Sequence, residues 1–151
     1  MEIMKKVAIL AYDGCWAMNL FAVTDFFRVV ALLEQHLGLA PGYAVEVLSG
    51  DGAEVRAASG HRVQADGAID AAQCYELVVI PAIEGVRLGA GFSPDARLVA
   101  WLAAQHRAGA AVLHFRPRLI TLHRHLPTSQ SQISPMMNWT PFGTNISGFQ
   151  S

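Results

Sequence analysis

The stretch VAILAYDGCWAMNLFAVTDFFRVVALLEQHL, Val7 to Leu37, decides the architecture. Lys6 to Tyr12 is almost continuously apolar, the mark of a strand covered on both faces, as in a parallel sheet. Asp13-Gly14 then ends the run, because this pair enters tight turns readily. Apolar residues return at Leu20, Val23, Phe27, Val30 and Leu33, close to helical period, and predict a helix over roughly Leu20 to Leu37. Asp25, Arg28 and Gln35 mark its other side, where Asp25 and Arg28, three apart, can pair. Gly38, Pro41 and Gly42 close it. A buried strand, a tight turn and a long helix make the first half of a strand–helix–strand unit.

The same alternation continues outward. YAVEVLS, Tyr43 to Ser49, alternates and reads as a second strand. GDGAEVRAASGHRVQAD reads as a small hairpin with its turn at Ser59-Gly60, and Ala68 to Ala72 as a helical turn. YELVVIPA, Tyr75 to Ala82, is a buried strand rich in β-branched residues. Ser93-Pro94-Asp95 is a helix start: Ser93 can cap, Pro94 suits the first position, and Asp95 faces the positive end of the dipole. That helix runs to about Arg107, with Leu98, Trp101 and Leu102 inward, and Gly109 stops it. Ala110 to Phe115 is the next strand. Alternation at this spacing implies right-handed crossovers and a mostly parallel sheet, whose ligands sit at the carboxyl ends of the strands. The turns after Tyr12, Ile80 and Leu113 are the places to look for a site.

Composition narrows the function classes. The chain has 151 residues, enough for one domain with a core, and is 52% hydrophobic and 15% charged, which excludes a disordered polymer. Its longest apolar run, Leu77 to Ile83, is far short of a membrane span, and the N-terminal apolar stretch is too short for a secretory signal. Cys15 and Cys74 are the only cysteines, and no Cys/His metal spacing accompanies them, so free thiols in a cytoplasmic protein are expected. No glycine-rich phosphate loop follows any strand, so nucleotide cofactors have no support. The net charge of −1 gives no nucleic-acid-binding field, although it is unevenly spread: all twelve acids lie at or before Asp95, while 96–151 holds five arginines and no acid. The tail is read as incidental rather than as a basic nucleic-acid arm. HRH at 123–125 invites a metal reading, but it has neither a periodic frame nor a carboxylate near it, so no metal is expected.

VAILAYDGCWAMNLFAVTDFFRV, YELVVIPAIEG and LVAWLAAQHRAGAAV, in this order and spacing, resemble the ThiJ/PfpI (class I glutamine amidotransferase-like) family. The nearest likeness is to the N-terminal sensor domain of AraC-type transcriptional regulators. It covers about residues 5–113 and implies a flavodoxin-like three-layer α/β sandwich with a mostly parallel sheet. It also implies a homodimer, and DNA binding through a separate helix-turn-helix domain. Enzymes of the family carry a cysteine on a strained elbow after the strand that ends here near Leu113, where this chain reads LHFRPRL, with no Cys, Ser or Gly. Relatives often place a carboxylate where Asn19 stands, and asparagine cannot act as a general base. The glycine-rich turn whose amides build an anion pocket is here PAIEG, with Gly85 remaining.

The ligand-binding candidates are therefore Asp13, Cys15, Asn19, Glu84 and Gly85, with no catalytic residue. Each has a plainer reading beside it: Asp13 as a turn former, Cys15 as core packing, Asn19 as the cap of the long helix, Glu84 as a solvated loop acid. His106, near the end of its helix, suits the negative dipole end. The expected protein is a non-catalytic ligand-sensing regulatory domain binding a small molecule, without cofactor, membrane or direct nucleic-acid contact. The alternatives are a ThiJ/PfpI hydratase or amidase that has lost its nucleophile, and a dimerisation or structural module. Residues 1–115 are expected to form an incomplete domain, and 116–151 an atypical tail, disordered or read out of frame. In the latter case Val112 as GTG followed by Leu113 as CTN contains TGC one base on, a cysteine codon.

Overall fold

The computed structural model describes residues 4–84, 95–116 and 119–123. In chain order the elements are β1 (Lys5–Leu10), α1 (Ala17–His36), β2 (Tyr43–Ser49), β3 (Val55–Arg56), β4 (Arg62–Val63), β5 (Gly67–Ala68), β6 (Leu77–Ile80), α2 (Ala96–Arg107), β7 (Ala111–Arg116) and β8 (Leu119–His123). Six strands form one sheet in the order β5-β2-β1-β6-β7-β8, and β3-β4 is a separate hairpin. β5, β2, β1, β6 and β7 are parallel, and β8 pairs antiparallel with β7. This is the mostly parallel sheet that the strand and helix alternation predicts, in the flavodoxin-like α/β arrangement that the resemblance implies.

Topology places the helices. The chain steps from β1 to β2 in one direction and from β6 to β7 in the other. Right-handed crossovers then put α1 and α2 on opposite faces of the sheet. β1 alternates accordingly, and Val7 through Leu10 are all buried. Val7, Ile9 and Ala11 share a core with Leu20 and Val23 of α1 and with Val47 and Val79. Ala8 and Leu10 share the other core with Leu48, Val78 and Trp101 of α2.

Four local expectations change. α1 begins at Ala17 with Trp16 in the cap position and no side-chain cap bond, so Asn19 lies inside the first turn and does not cap it. Its amide is drawn elsewhere, to the backbone after β6. α2 is capped by Asp95, whose carboxylate accepts from the Arg97 amide; Ser93 and Pro94 lie outside the described residues. The helical turn expected over Ala68–Ala72 is instead the end of β5 and a turn that Asp70 closes by accepting from the Ala72 amide. Finally, the last parallel strand does not end at Leu113: β7 runs on to Arg116 and β8 returns along it, from Arg116 opposite Leu119 to Val112 opposite His123. Of the expected tail, residues 117–118 and 124–151 lie outside the described residues.

Candidate functional site

β1 is where the strand order reverses, with β2 on one side and β6 on the other. In open α/β sheets the turns leaving such a point diverge and open a crevice at the carboxyl ends. A cavity of about 500 Å³ lies there. Tyr12 and Asp13 after β1, Ser49 and Asp51 at the end of β2, and Ile80 and Ile83 around the end of β6 form three sides of its wall. Arg97, Leu98 and Leu102 of α2 line it from the α2 face.

The turn after β1 is held on two sides. Asp13 Oδ1 accepts from the Arg56 amide at 2.8 Å, the Gly14 amide donates to the Arg56 carbonyl at 2.8 Å, and the Ala58 amide donates to the Cys15 carbonyl at 2.8 Å. These bonds dock the β3-β4 hairpin on the turn. Gly14 has φ +82°, a left-handed conformation that a side chain would strain. On the other side the Trp16 amide donates to the Ala82 carbonyl, the Glu84 amide donates to the Gly14 carbonyl, and Asn19 Oδ1 accepts from the Ala82 amide at 3.2 Å. The Tyr12 hydroxyl donates to the Pro81 carbonyl. The turns after β1 and β6 thus form one hydrogen-bonded unit.

This arrangement sorts the candidates. Asp13 lines the cavity, with one carboxylate oxygen engaged by the Arg56 amide. Cys15 is fully buried behind the turn and bridges Ile83 through its backbone. Burial is the main reason its thiol is raised above the ordinary range; nearby amides offset part of that, and the Asp13 charge adds to it. A thiol held protonated and away from solvent is a poor nucleophile. Asn19 and Glu84 belong to the seam between the two turns rather than to the cavity lining. Gly85 falls outside the described residues.

The lining adds residues that sequence reading overlooked: Tyr12, Ser49, Asp51, Glu54 and the first turns of α2. The carboxyl-end rule, applied to the second strand as well, would have included the Ser49–Gly50–Asp51 turn. Asp51 closes that turn by accepting from the Ala53 amide, and Ser49 donates to the Ala53 carbonyl. Asp95 pairs with Arg97 at 3.1 Å, and hydrogen bonds from Arg97 hold its carboxyl below the usual range. Burial pushes the Tyr12 phenol well up, with Cys15 adding to the effect, so it stays a neutral hydroxyl. Among the described residues, Asp13, Asp51, Glu54 and Asp95 line the cavity against the one guanidinium of Arg97. That field disfavours anions and suits a cationic or neutral hydrogen-bonding ligand with an apolar body resting on Ile80, Leu98 and Leu102.

Just after Leu113, where the family's enzymes carry their elbow, the backbone continues as strand to Arg116. Among the described residues no group of three or more His, Cys, Asp or Glu is placed to hold a metal ion, and no helix is long and apolar enough to cross a membrane.

No protein-family model and no curated protein matches the chain. Solved structures do. A proposed transcriptional regulator from Vibrio parahaemolyticus is 16% identical with a TM-score of 0.61, over 74% of this chain and 56% of that one. DJ-1beta of Drosophila melanogaster is 17% identical with a TM-score of 0.58, over 74% of this chain and 55% of that one. An AraC family transcriptional regulator from Pseudomonas putida is 23% identical with a TM-score of 0.50, over 72% and 62%. The chain therefore spans a little over half the length of the structures it matches. At these identities the likeness is one of fold, and the chain has the fold of the DJ-1/ThiJ/PfpI proteins, transcriptional regulators among them.

Proposed function

We propose that this chain is a ligand-sensing regulatory domain of the AraC-associated type, with no catalysis of its own. The observation that carries the reading is the cavity at the reversal of strand order, whose lining among the described residues holds carboxylates, a neutral phenol, the Ser49 hydroxyl, the Arg97 guanidinium and apolar side chains, and no cysteine. The cysteine nearest to it is buried behind the turn, and Asn19, where relatives often carry a carboxylate, is engaged by the Ala82 amide. Likeness to two solved regulators favours sensing over chemistry. In this reading the ligand is a small molecule, DNA contact belongs to a separate domain, and the two free thiols fit a cytoplasmic location.

Titration of the protein with a panel of small amines, amino acids and neutral amides, followed by amide chemical shifts, tests the site. Perturbations should gather at Tyr12, Asp13, Asp51 and Leu98. Shifts confined to the hairpin around Arg56 to Gln64 would remove the cavity from consideration. Turnover of an amide, isonitrile or dicarbonyl substrate that disappears in Cys15→Ala would replace sensing by catalysis.

A further inference from the structure

Among the described residues the β3-β4 hairpin pairs with no strand of the six-stranded sheet. Two strands of two residues each do not hold together alone in water, so its place depends on docking. Ala57 and Val63 belong to the core beneath α1, and Val55, opposite Val63, packs against it. All three are small side chains. The rest of the docking is three hydrogen bonds to the turn after β1, each 2.8 Å: the Arg56 amide to Asp13 Oδ1, the Gly14 amide to the Arg56 carbonyl, and the Ala58 amide to the Cys15 carbonyl. Of the three, the bond to Asp13 has a charged acceptor, and such bonds are the stronger kind. A unit held by so few contacts belongs to the part of a fold that opens without global unfolding.

The cavity crosses this joint. Tyr12 and Asp13 line it from the turn, and Ala53, Glu54 and Val55 line it from the arm that becomes β3. Asp13 serves both, since its carboxylate is part of the cavity wall and its Oδ1 is the acceptor that holds the hairpin. Glu54 carries the link across the hairpin: it lines the cavity and pairs with Arg62 of β4 at 2.7 Å. Lifting the hairpin from the turn therefore removes one wall of the cavity. An occupant that needs this wall binds only the docked hairpin, and by linkage it holds the hairpin docked. We infer that the β3-β4 hairpin is the element through which the cavity reports its occupancy. Filled, the cavity clamps the hairpin to the turn after β1; empty, it lets the hairpin open on its own. Arg56 and Arg62, both exposed and opposite each other on the hairpin, are the surface whose placement follows. The coupling rests on the ligand-sensing reading and gives that site its output.

Native-state amide exchange of the full chain tests the coupling, with benzylamine, a cation on an apolar ring, as the probe. The Arg56 and Ala58 amides exchange when the docking bonds break, so they should exchange together and faster than the amides of β1. At ten times its dissociation constant the probe should slow both about tenfold. A probe bound equally well by the opened hairpin would leave both rates as they were. Without the probe, Asp13→Ala should speed both about tenfold, and Asp13→Asn, which keeps an acceptor, about threefold or less. Leu102→Trp fills the cavity from α2 with an occupant that needs no ligand, and should slow both about threefold or more. Leu102→Phe serves if the tryptophan variant does not fold. Benzylamine shifts at Tyr12, Asp51 and Leu98 with unchanged Arg56 and Ala58 rates would overturn the coupling and leave the sensing reading standing. If benzylamine shifts none of them, the sensing reading loses support and the Leu102 variant decides the coupling, which unchanged rates overturn. Exchange of Arg56 and Ala58 at the β1 rate would overturn it too, since the hairpin would then open only with the whole fold.

Discussion

α1 and α2 cover opposite faces of the same sheet, and they are finished differently on their outer sides. α2 buries Trp101 and Gln105 and leaves one large apolar residue, Val99, exposed. Its inward polar groups are all engaged: Trp101 Nε1 donates to the Asp70 carbonyl at 2.9 Å, and Gln105 accepts from the Tyr75 amide and donates to the Gln73 carbonyl. α2 is thus a clamp on the segment leading into β6, with an outer side made for water. α1 is apolar on both sides and engages the rest of the fold chiefly by packing. The difference between the two helices teaches that a helix can be held on the sheet by engaged inward polar groups or chiefly by apolar packing, and that here the helix held by packing leaves more of its apolar side chains exposed.

The comparison breaks first at Trp101. Trp101→Ala should lower unfolding free energy by about 3–5 kcal/mol in chemical denaturation, since it removes a buried indole and its hydrogen bond. A loss below about 1 kcal/mol would mean that α2 is not anchored as described. Adjacent positions on α1 should then separate cleanly. Leu20→Ala should cost about 2–5 kcal/mol, and Phe21→Ala about 0.5 kcal/mol or less in dilute protein. Similar losses at the two positions would show that the outer face is already covered within one chain.

Smaller effects sharpen the contrast between clamping and packing. Gln105→Ala strands the Tyr75 amide and the Gln73 carbonyl and should cost about 2 kcal/mol, against about 1 kcal/mol for Asn19→Ala, which frees the Ala82 amide. The reverse ranking would make the seam between the turns the stronger fastening. The smallest effect is a pH dependence at Asp95. Its carboxyl is held below the ordinary range in the folded chain, so its charge stabilises the fold above the unfolded value. That contribution is lost as pH falls through the folded value. Asp95→Asn should therefore melt below wild type at neutral pH and converge with it in acid; a constant gap across that range would assign the effect to the cap hydrogen bond alone.

Much of the fold is local, and to that extent it was legible. Continuous apolar runs marked β1 and β6, Ser59-Gly60 marked the hairpin turn, with Gly60 at φ +83°, and Gly109 at φ +99° marked the end of α2. The candidate site was legible in place but less so in membership. The carboxyl-end rule found the turns after β1 and β6, and Asp13 does line the cavity. Cys15 and Asn19 have the right positions along the chain, yet one faces the interior and the other a backbone amide sixty-three residues away.

What the sequence determined by itself is the order and period of the elements, because helical and strand periodicity and turn chemistry act between residues a few positions apart. The tertiary structure decided how much of α1 meets the sheet: Leu20, Val23 and Phe27 pack on it as their period predicts, while Leu33, of the same series, is left exposed. It also brought Asp51, Asp95 and Arg97 to the same cavity as Tyr12, because strand pairing and right-handed crossovers bring together residues that are far apart along the chain.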